Sequence, residues 1–378
     1  MFENLNNDQK KGVLIELLNK SSKKNQFHIE KNISELYDPF ELNEIQTSYL
    51  AGSFYNAVDD SRCHCYHEFL LKNLDIDRLQ ESLNILIKNH SALRIKVQPD
   101  FRQIIQPYNE YKIIFEDISS QSTLEIQEYI DKVRMMYSHK VYQTADFPLF
   151  HIRVTKIFDN QAIMHVSIDS LILDGWSAQI FFSQWYLLYT RLSMSTLDLE
   201  SIIAQFANIS FRDYIVSYRK YRQTITYLKS LQYWKNKIKL SYPGPWGNFT
   251  NAFNYLGIID KKTYLRKRLK FSLNHTQYTK LRIRAKQFNI SISALLLALF
   301  SEFLAQFSNH NQFSLILTIS NRPQWDKDLQ KIIGAFTTLS VFNYDLTQHN
   351  SFEDRSKAVQ LQLLQDLENI TASPLAAA

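Results

Sequence analysis

A chain of 378 residues is too long for a typical single domain, and its 45% apolar and 21% charged shares are those of an ordinary globular protein. Seven glycines, with neither a GxxxxGK[ST] nor a GxGxxG pattern, argue against glycine-rich phosphate loops. The net charge of +6 is spread along the chain. A nucleic-acid surface would want a concentrated basic stripe with interleaved aromatics, so these charges read as solvated lysine-rich faces, no nucleic-acid partner is expected, and steering toward an acidic protein partner is the better functional use. The start, "MFENLNNDQKK", lacks a basic stretch followed by an apolar core, and there are only two cysteines, so a reducing cytoplasm is expected. The most apolar run, "ISALLLALFSEFLAQF", is broken by Ser301 and Glu302 and is too short to span a bilayer, so no membrane role is expected.

In chain order, residues 1–40 read as a separate linker or docking segment, with helical spacing in "DQKKGVLIELLNK". The body begins at "YDPFELNEIQTSYLAGSFYN". "CHCYHEFLL" reads as a strand, and "DIDRLQESLNILIKNH" as a helix with Leu79, Leu83, Leu86 and Ile87 on one stripe. "ALRIKVQ" and "RQIIQ" are two short strands around a turn, and "TLEIQEYIDKVRMMYSHK" is helical. "LFHIRVTKIF" and "QAIMHVSID" alternate as paired strands, followed by the helix "WSAQIFFSQWYLLYTRL". "FRDYIVSYRKYRQTITYLKSLQYWKNKI" is one or two long helices. A second half then repeats the layout. It has a strand at "LRKRLKFSL", helices at "HTQYTKLRIRAKQFN" and "SISALLLALFSEFLAQFS", strands at "FSLILTIS" and "FTTLSVFNY", and a last helix at "FEDRSKAVQLQLLQDLEN". The expected class is α+β, with two lobes of two-layer α/β sandwich, residues 41–205 and 206–378.

The chemistry concentrates in "SIDSLILDGWS", residues 167–177. Alternation puts Met164, Val166 and Ile168 on a core face and His165, Ser167 and Asp169 on the other, a polar face suited to lining a passage. Asp174 falls where strand gives way to helix. It can cap that helix and favour its positive end, or pair with a buried arginine, for which "HSALRIKV" offers Arg94. Ser177 can be a first-turn hydroxyl without chemistry. Cys63, Cys65 and His67 are zinc-ligand types, but i, i+2 spacing on one strand splays them and no second pair lies nearby, so no metal is expected.

This stretch resembles the DxxxxDxxS signature of heterocyclization domains of nonribosomal peptide synthetases, with Asp169, Asp174 and Ser177 on its three positions. Those domains are variants of condensation domains, whose usual motif is HHxxxDG. Here Asp169-Ser170 stands in place of the two histidines, and Asp174-Gly175 keeps the DG. Other segments agree in order from about residue 38 to about 370. "PFELNEIQTSYLAGS" is similar to the family's "PFPLTDIQQAYWVGR", and "HSALRIKV" to "HPMLRAV". "YSHKVYQTADFPLF" and "FRDYIVSY" have family counterparts, while "ILTISNRP" and "GAFTTLSVFNYD" resemble "LTLFNR" and "GDFTSLxLLxxD".

The resemblance implies two chloramphenicol-acetyltransferase-like lobes in a V-shaped pseudo-dimer with a tunnel between them. It implies carrier proteins and adjacent adenylation domains as partners. Substrates would arrive on phosphopantetheine arms, with no cofactor bound directly and the chain acting as a monomer. An acyl group would be joined to the amine of a carrier-bound Cys, Ser or Thr, and the side chain closed to a thiazoline or oxazoline. By the same resemblance Asp169 would orient the acceptor amine, Thr318 and Asn321 would hold the nascent amide, and Thr337 would sit beside the acid of "GDFT". Asp174, Ser177, Ser170, Arg94, Tyr49 and Ala335 would line the tunnel or support it. Two departures matter. Ala335 stands where the family has that aspartate, which leaves condensation conceivable and ring closure impaired. The chain also stops before the family's final strands and helix, so a truncated second lobe is expected. The alternative is a catalytically inactive scaffold that binds carrier proteins. A small-molecule acetyltransferase of this fold would lack its catalytic histidine.

Overall fold

Apolar alternation in neighbouring runs builds the main sheet. In the computed structural model, which describes residues 27–55, 63–143, 146–192, 196–245, 272–308, 310–348 and 350–378, four strands align in the order β2-β7-β6-β5. They are β2 (His64–Lys72), β5 (Ile114–Asp117), β6 (Phe150–Phe158) and β7 (Gln161–Asp169). β7 is antiparallel to both neighbours, and β5 runs parallel to β6. The helix expected over "DQKKGVLIELLNK" lies outside the described residues, as do all but the last two residues of "LRKRLKFSL".

The register sorts side chains onto two faces. Val166 pairs with His67 and Ile152, and Ile168 with Cys65 and Phe150, so these residues share the apolar face. Two helices pack there, α2 (Ile76–Asn89) and α4 (Gly175–Arg191). Trp185 of α4 donates its indole N–H to the Ser82 hydroxyl of α2 at 3.0 Å, and Phe182 meets His67 and Phe69 of β2. His165, Ser167 and Asp169 share the other face, as their spacing predicts, but this face does not form an open lining. It is covered within the same unit by α3 (Thr123–Ser138). Arg134 of α3 makes a bidentate pair with Glu68, at 2.7 and 2.9 Å, and Tyr142 donates to the Ser167 carbonyl at 2.8 Å. His165 and Ser167 are fully buried. Small strands β1 (Phe40–Glu41), β3 (Ile95–Val97) and β4 (Arg102–Ile105) form a second antiparallel sheet in the order β1-β4-β3. It lies beside α1 (Glu44–Tyr55), whose Gln46 bonds Gln103 of β4.

Contacts divide the chain into two units. One holds residues up to Gln223 together with Arg322–Phe336, and the other holds Thr224–Asn321 and Thr337–Ala378. The sequence placed the division at 205/206. The contacts put it after α6 (Phe211–Tyr221), because α6 packs on β1 and the segment before it. α5 (Thr196–Ile203) precedes α6 in the first unit.

The second unit contains α7 (Ile225–Lys239), α8 (His275–Gln287), α9 (Ile292–Phe307), α10 (Phe352–Glu368) and the antiparallel pair β8 (Gln312–Ser320) and β9 (Thr337–Asp345). Ala294, Ala298 and Leu304 of α9, Phe313, Phe342 and Tyr344 of the strands and Val359 of α10 form its core. A buried carboxylate ties three elements together. Asp366 of α10 accepts from Tyr233 and Lys237 of α7 and, at 3.0 Å, from Ser340 of β9. Among the described residues no single helix is long and apolar enough to cross a membrane.

Two buried histidines make the first unit sensitive to acid. His165 accepts or donates through Nδ1 at 2.7 Å from Tyr66, and burial lowers its imidazole to about 4. His90, packed against Phe206, is lowered to about 4 by burial in the same way. An unfolded histidine titrates near 6.5. Between that value and 4 the unfolded chain takes up protons that the folded chain refuses. The stability is therefore complete above about pH 6.5 and is lost as pH falls through the folded values. Urea unfolding between pH 7 and pH 5 is expected to show stability falling with acidification, and H165N should reduce that slope. A flat profile over this range would contradict neutral burial of both rings.

Candidate functional site

Asp169 ends β7, and its carboxylate turns back on its own loop. Oδ1 accepts the Leu171 N–H at 2.8 Å, and the Ile172 N–H returns to the Asp169 carbonyl at 3.2 Å. Such a local bond fixes a turn where the strand stops. Leu171, Ile172 and Leu173 then fill the core at 1% exposure or less. Gln46 of α1 clamps the loop from outside, donating to the Leu171 carbonyl at 2.7 Å. Ser170 donates its N–H to the Cys63 carbonyl at 3.0 Å. Burial is the main reason the Cys65 thiol is pushed up, so Cys65 is a poor nucleophile here.

Asp174 is the N-cap of α4. Its Oδ1 accepts the Ser177 N–H at 2.7 Å, satisfying one of the free donors of the first turn. Its own N–H donates to the Gly334 carbonyl at 3.2 Å. Ser177 completes the junction. Its hydroxyl donates to the Gly334 carbonyl at 2.8 Å, accepts the Gly334 N–H at 3.0 Å and accepts from Arg322 Nη2 at 2.8 Å. One donor and two acceptor sites are all a serine hydroxyl has, so every one is used. Arg322 is the hub of the segment it begins. It donates to the Ile332 carbonyl at 2.8 Å and to the Leu329 carbonyl, lies 3.4 Å from Asp174 Oδ1 and stacks 4.0 Å from the Phe336 ring centre. Burial lowers its guanidinium, and the facing Asp174 carboxylate opposes that shift. Residues 322–336 are thereby held on the start of α4, with Trp176 adding a bond to the Gln330 carbonyl at 3.2 Å. Asn43 and Gln46 cap α1 reciprocally, and Asn43 also donates to the Ala335 carbonyl at 2.7 Å.

The structure corrects several site assignments. The arginine facing Asp174 is Arg322, not Arg94. Arg94 is spent on the Gln106 carbonyl at 2.6 Å and sits in a turn with its own bond to satisfy. Asp169 is 1% exposed, with its carboxylate turned onto its own loop in the first unit. Asn321 is buried too. Its side-chain N–H donates to the Ile370 carbonyl at 3.0 Å, which makes it an anchor for the chain after α10. Thr318 and Thr337 fall on one face of the β8–β9 pair, because Thr318 pairs with Leu339 and Ser320 with Thr337. That face is opposite the one formed by Phe313 and Phe342. Thr318 is exposed, and Thr337 and Tyr49 of α1 are half-buried. Ala335 is 1% exposed. Sequence reasoning missed the roles of Arg322, Asn43 and Gln46, although all three lie inside the motifs "ILTISNRP" and "PFELNEIQ".

This fold, with its aspartate–serine clasp at the start of a helix, is that of a condensation domain. The condensation-domain family model matches residues 40–371, and the chain belongs to that family. It is 26% identical over 342 residues to bacitracin synthase 1 of Bacillus licheniformis, covering 90% of this chain and 6% of that protein. It is 24% identical over 344 residues to phenyloxazoline synthase MbtB of Mycobacterium tuberculosis, covering 88% and 22%. The EpoB cyclization-docking bidomain of a nonribosomal peptide synthetase from Sorangium cellulosum superposes with a TM-score of 0.81 at 25% identity, over 97% of this chain and 71% of that one. The chain thus spans less than a quarter of the length of either curated relative.

The clasp yields a graded set of expectations for thermal or urea unfolding. S177A leaves a buried N–H and a guanidinium N–H short of their acceptor and should cost about 2–3 kcal/mol. At Gly334 an added Cβ would lie 2.3 Å from Cδ2 of the fully buried Phe211 ring, so G334A should cost about 1–3 kcal/mol. At Gly175, also part of the motif, nothing lies within 4 Å of such an atom, so G175A should stay within about 0.5 kcal/mol of the parent. Equal losses for the two glycine variants would contradict this picture.

Proposed function

We propose that the chain is a heterocyclization-type condensation domain of a nonribosomal peptide synthetase, able to form the amide but impaired in closing the ring. The clasp carries this reading. Asp174, Ser177 and Arg322 fix Gly334, so residue 335 has one defined place, and the residue there is alanine. The names of two relatives, a phenyloxazoline synthase and a cyclization bidomain, support the subtype. Carrier proteins, working beside adenylation domains, would deliver both substrates as thioesters on phosphopantetheine arms. The chain would act as a monomer in the cytoplasm and hold no cofactor of its own.

In the first step the amine nitrogen of carrier-bound Cys, Ser or Thr attacks the thioester carbonyl. The carbon–sulfur bond breaks, and the departing sulfur takes up the proton the nitrogen loses. Ser170 replaces the family histidine and is no base at neutral pH. Acceleration then comes from holding the reactants together, which can supply about 7–11 kcal/mol. Asp169 serves this step by fixing the loop that presents Ser170. In the second step the side-chain sulfur or oxygen attacks the amide carbon, its proton and the amide N–H proton pass to the amide oxygen, and that oxygen leaves as water as a carbon–nitrogen double bond forms. That exchange of protons needs an acid–base group worth about 10²–10⁴ in rate, and Ala335 has none to offer.

An inactive carrier-binding scaffold is favoured by one observation, the enclosure of the Asp169 carboxylate. Intact-mass analysis after mixing an acyl-loaded carrier, a cysteinyl-loaded carrier and the protein separates the two. The expected product is the condensed amide without loss of water, and A335D should add the dehydrated product. Carrier binding with no amide would establish the scaffold. Efficient dehydration by the unaltered protein would overturn the assignment of the defect to Ala335.

A further inference from the structure

The four residues of "FRDY" at the start of α6 face two different clients. Phe211 packs against Gly334 and meets the Phe336 ring edge-on at 5.3 Å. Tyr214 meets Phe336 at 4.7 Å and Trp325 at 6.1 Å. These two side chains hold the 322–336 segment. Arg212 and Asp213 hold the chain before β1 instead. Arg212 donates to the Asp38 carbonyl at 3.2 Å and pairs with Glu35 at 3.0 Å. Asp213 caps α6 reciprocally with Ser210 and also accepts the Asn32 N–H at 3.0 Å. One turn later the Glu30 N–H donates to Ser217 at 3.1 Å, and Lys220 pairs with the Glu30 carboxylate. The two clients also touch directly. The Phe27 ring lies 4.9 Å from Trp325 and 5.2 Å from Tyr221, and Trp325 lies 4.5 Å from Tyr221.

We infer that residues 27–38 are a strap that sets the position of the 322–336 segment, with Phe27 and Trp325 as the positioning residues where the strap meets it. Three observations carry this. The strap is bonded to α6 at four places along its length, so it is an ordered part of the unit. Its aromatic end rests on the only tryptophan of the 322–336 segment. From Trp325 the contacts continue through Tyr214 to Phe336, the residue after Ala335. Tilted and edge-on aromatic pairs add attraction beyond the area they cover, so each ring favours one placement of the next. Phe336 is also the ring on which Arg322 stacks, so a shift there reaches the hub of the clasp. The catalytic consequence rests on the proposed acyl transfer, whereas the coupling itself rests on these contacts alone.

Hydrogen exchange of the whole chain, read by mass spectrometry, tests it with F27A, W325L and the double variant. Peptides covering 326–336 should exchange roughly five- to tenfold faster in each single variant, with the β2–β7 sheet unchanged. The double variant should be little faster than the larger single effect, because the two rings act as one contact. E35Q, which loosens the strap through Arg212 without touching Trp325, should move the same peptides in the same direction. Unchanged exchange at 326–336 in F27A, alongside loss of protection in 27–38, would overturn the inference, as would additive effects in the double variant. In the two-carrier assay the rate at saturating carrier should fall with protection while the apparent carrier affinity holds. An absence of amide from the unaltered protein would count against the proposed function, and the exchange result would still decide the strap.

Discussion

One hydroxyl group organises the candidate site. Ser177 Oγ is buried and has each of its three bonding positions filled, two by Gly334 and one by Arg322. A group so placed accepts no substitute. Alanine would leave its partners unpaired, and a larger residue has no room at 0% exposure. Because Gly334 is pinned through both its N–H and its carbonyl, the backbone on either side has little freedom. Residue 335 is therefore presented in one way, and whatever chemistry a side chain there can perform is set by its identity.

Motif segments that lie far apart in sequence meet around this point, each by a plain physical device. Asn43 and Gln46 use a helix-capping pair to reach the Ala335 and Leu171 carbonyls. Asp174 uses its capping position to meet both Ser177 and Arg322. Phe211 fills the space that the missing side chain of Gly334 leaves. The Asp174–Arg322 pair is buried on both sides, a costly arrangement unless further bonds satisfy the remaining donors. The Leu329 and Ile332 carbonyls and the Ser177 hydroxyl supply them.

Much of this architecture was legible in the sequence. Period-2 alternation located β2, β6, β7, β8 and β9, and helical spacing located α2, α3, α4, α8, α9 and α10. The short β1 and β5 were not legible, since two and four residues are too few to show a period. The capping role of Asp174 followed from its place between strand and helix. Its arginine partner did not, because Arg322 lies 148 residues away and only folding brings it near. The polar face of β7 was identified correctly as a face, yet not as buried. Alternation shows which residues share a side and says nothing of what covers it. Here Arg134 and Tyr142 cover it, using a paired carboxylate and a carbonyl that a sequence pattern does not reveal.

The exchange rate of the Gly334 amide in the unaltered protein bears most directly on the central claim. Gly334 lies outside any helix or strand, so only the Ser177 hydroxyl holds its N–H. The clasp requires this amide to exchange as slowly as the hydrogen-bonded amides in the middle of α4. Exchange at the rate of an open loop would show that residue 335 is not held, and the link from the DxxxxDxxS pattern to that position would be broken.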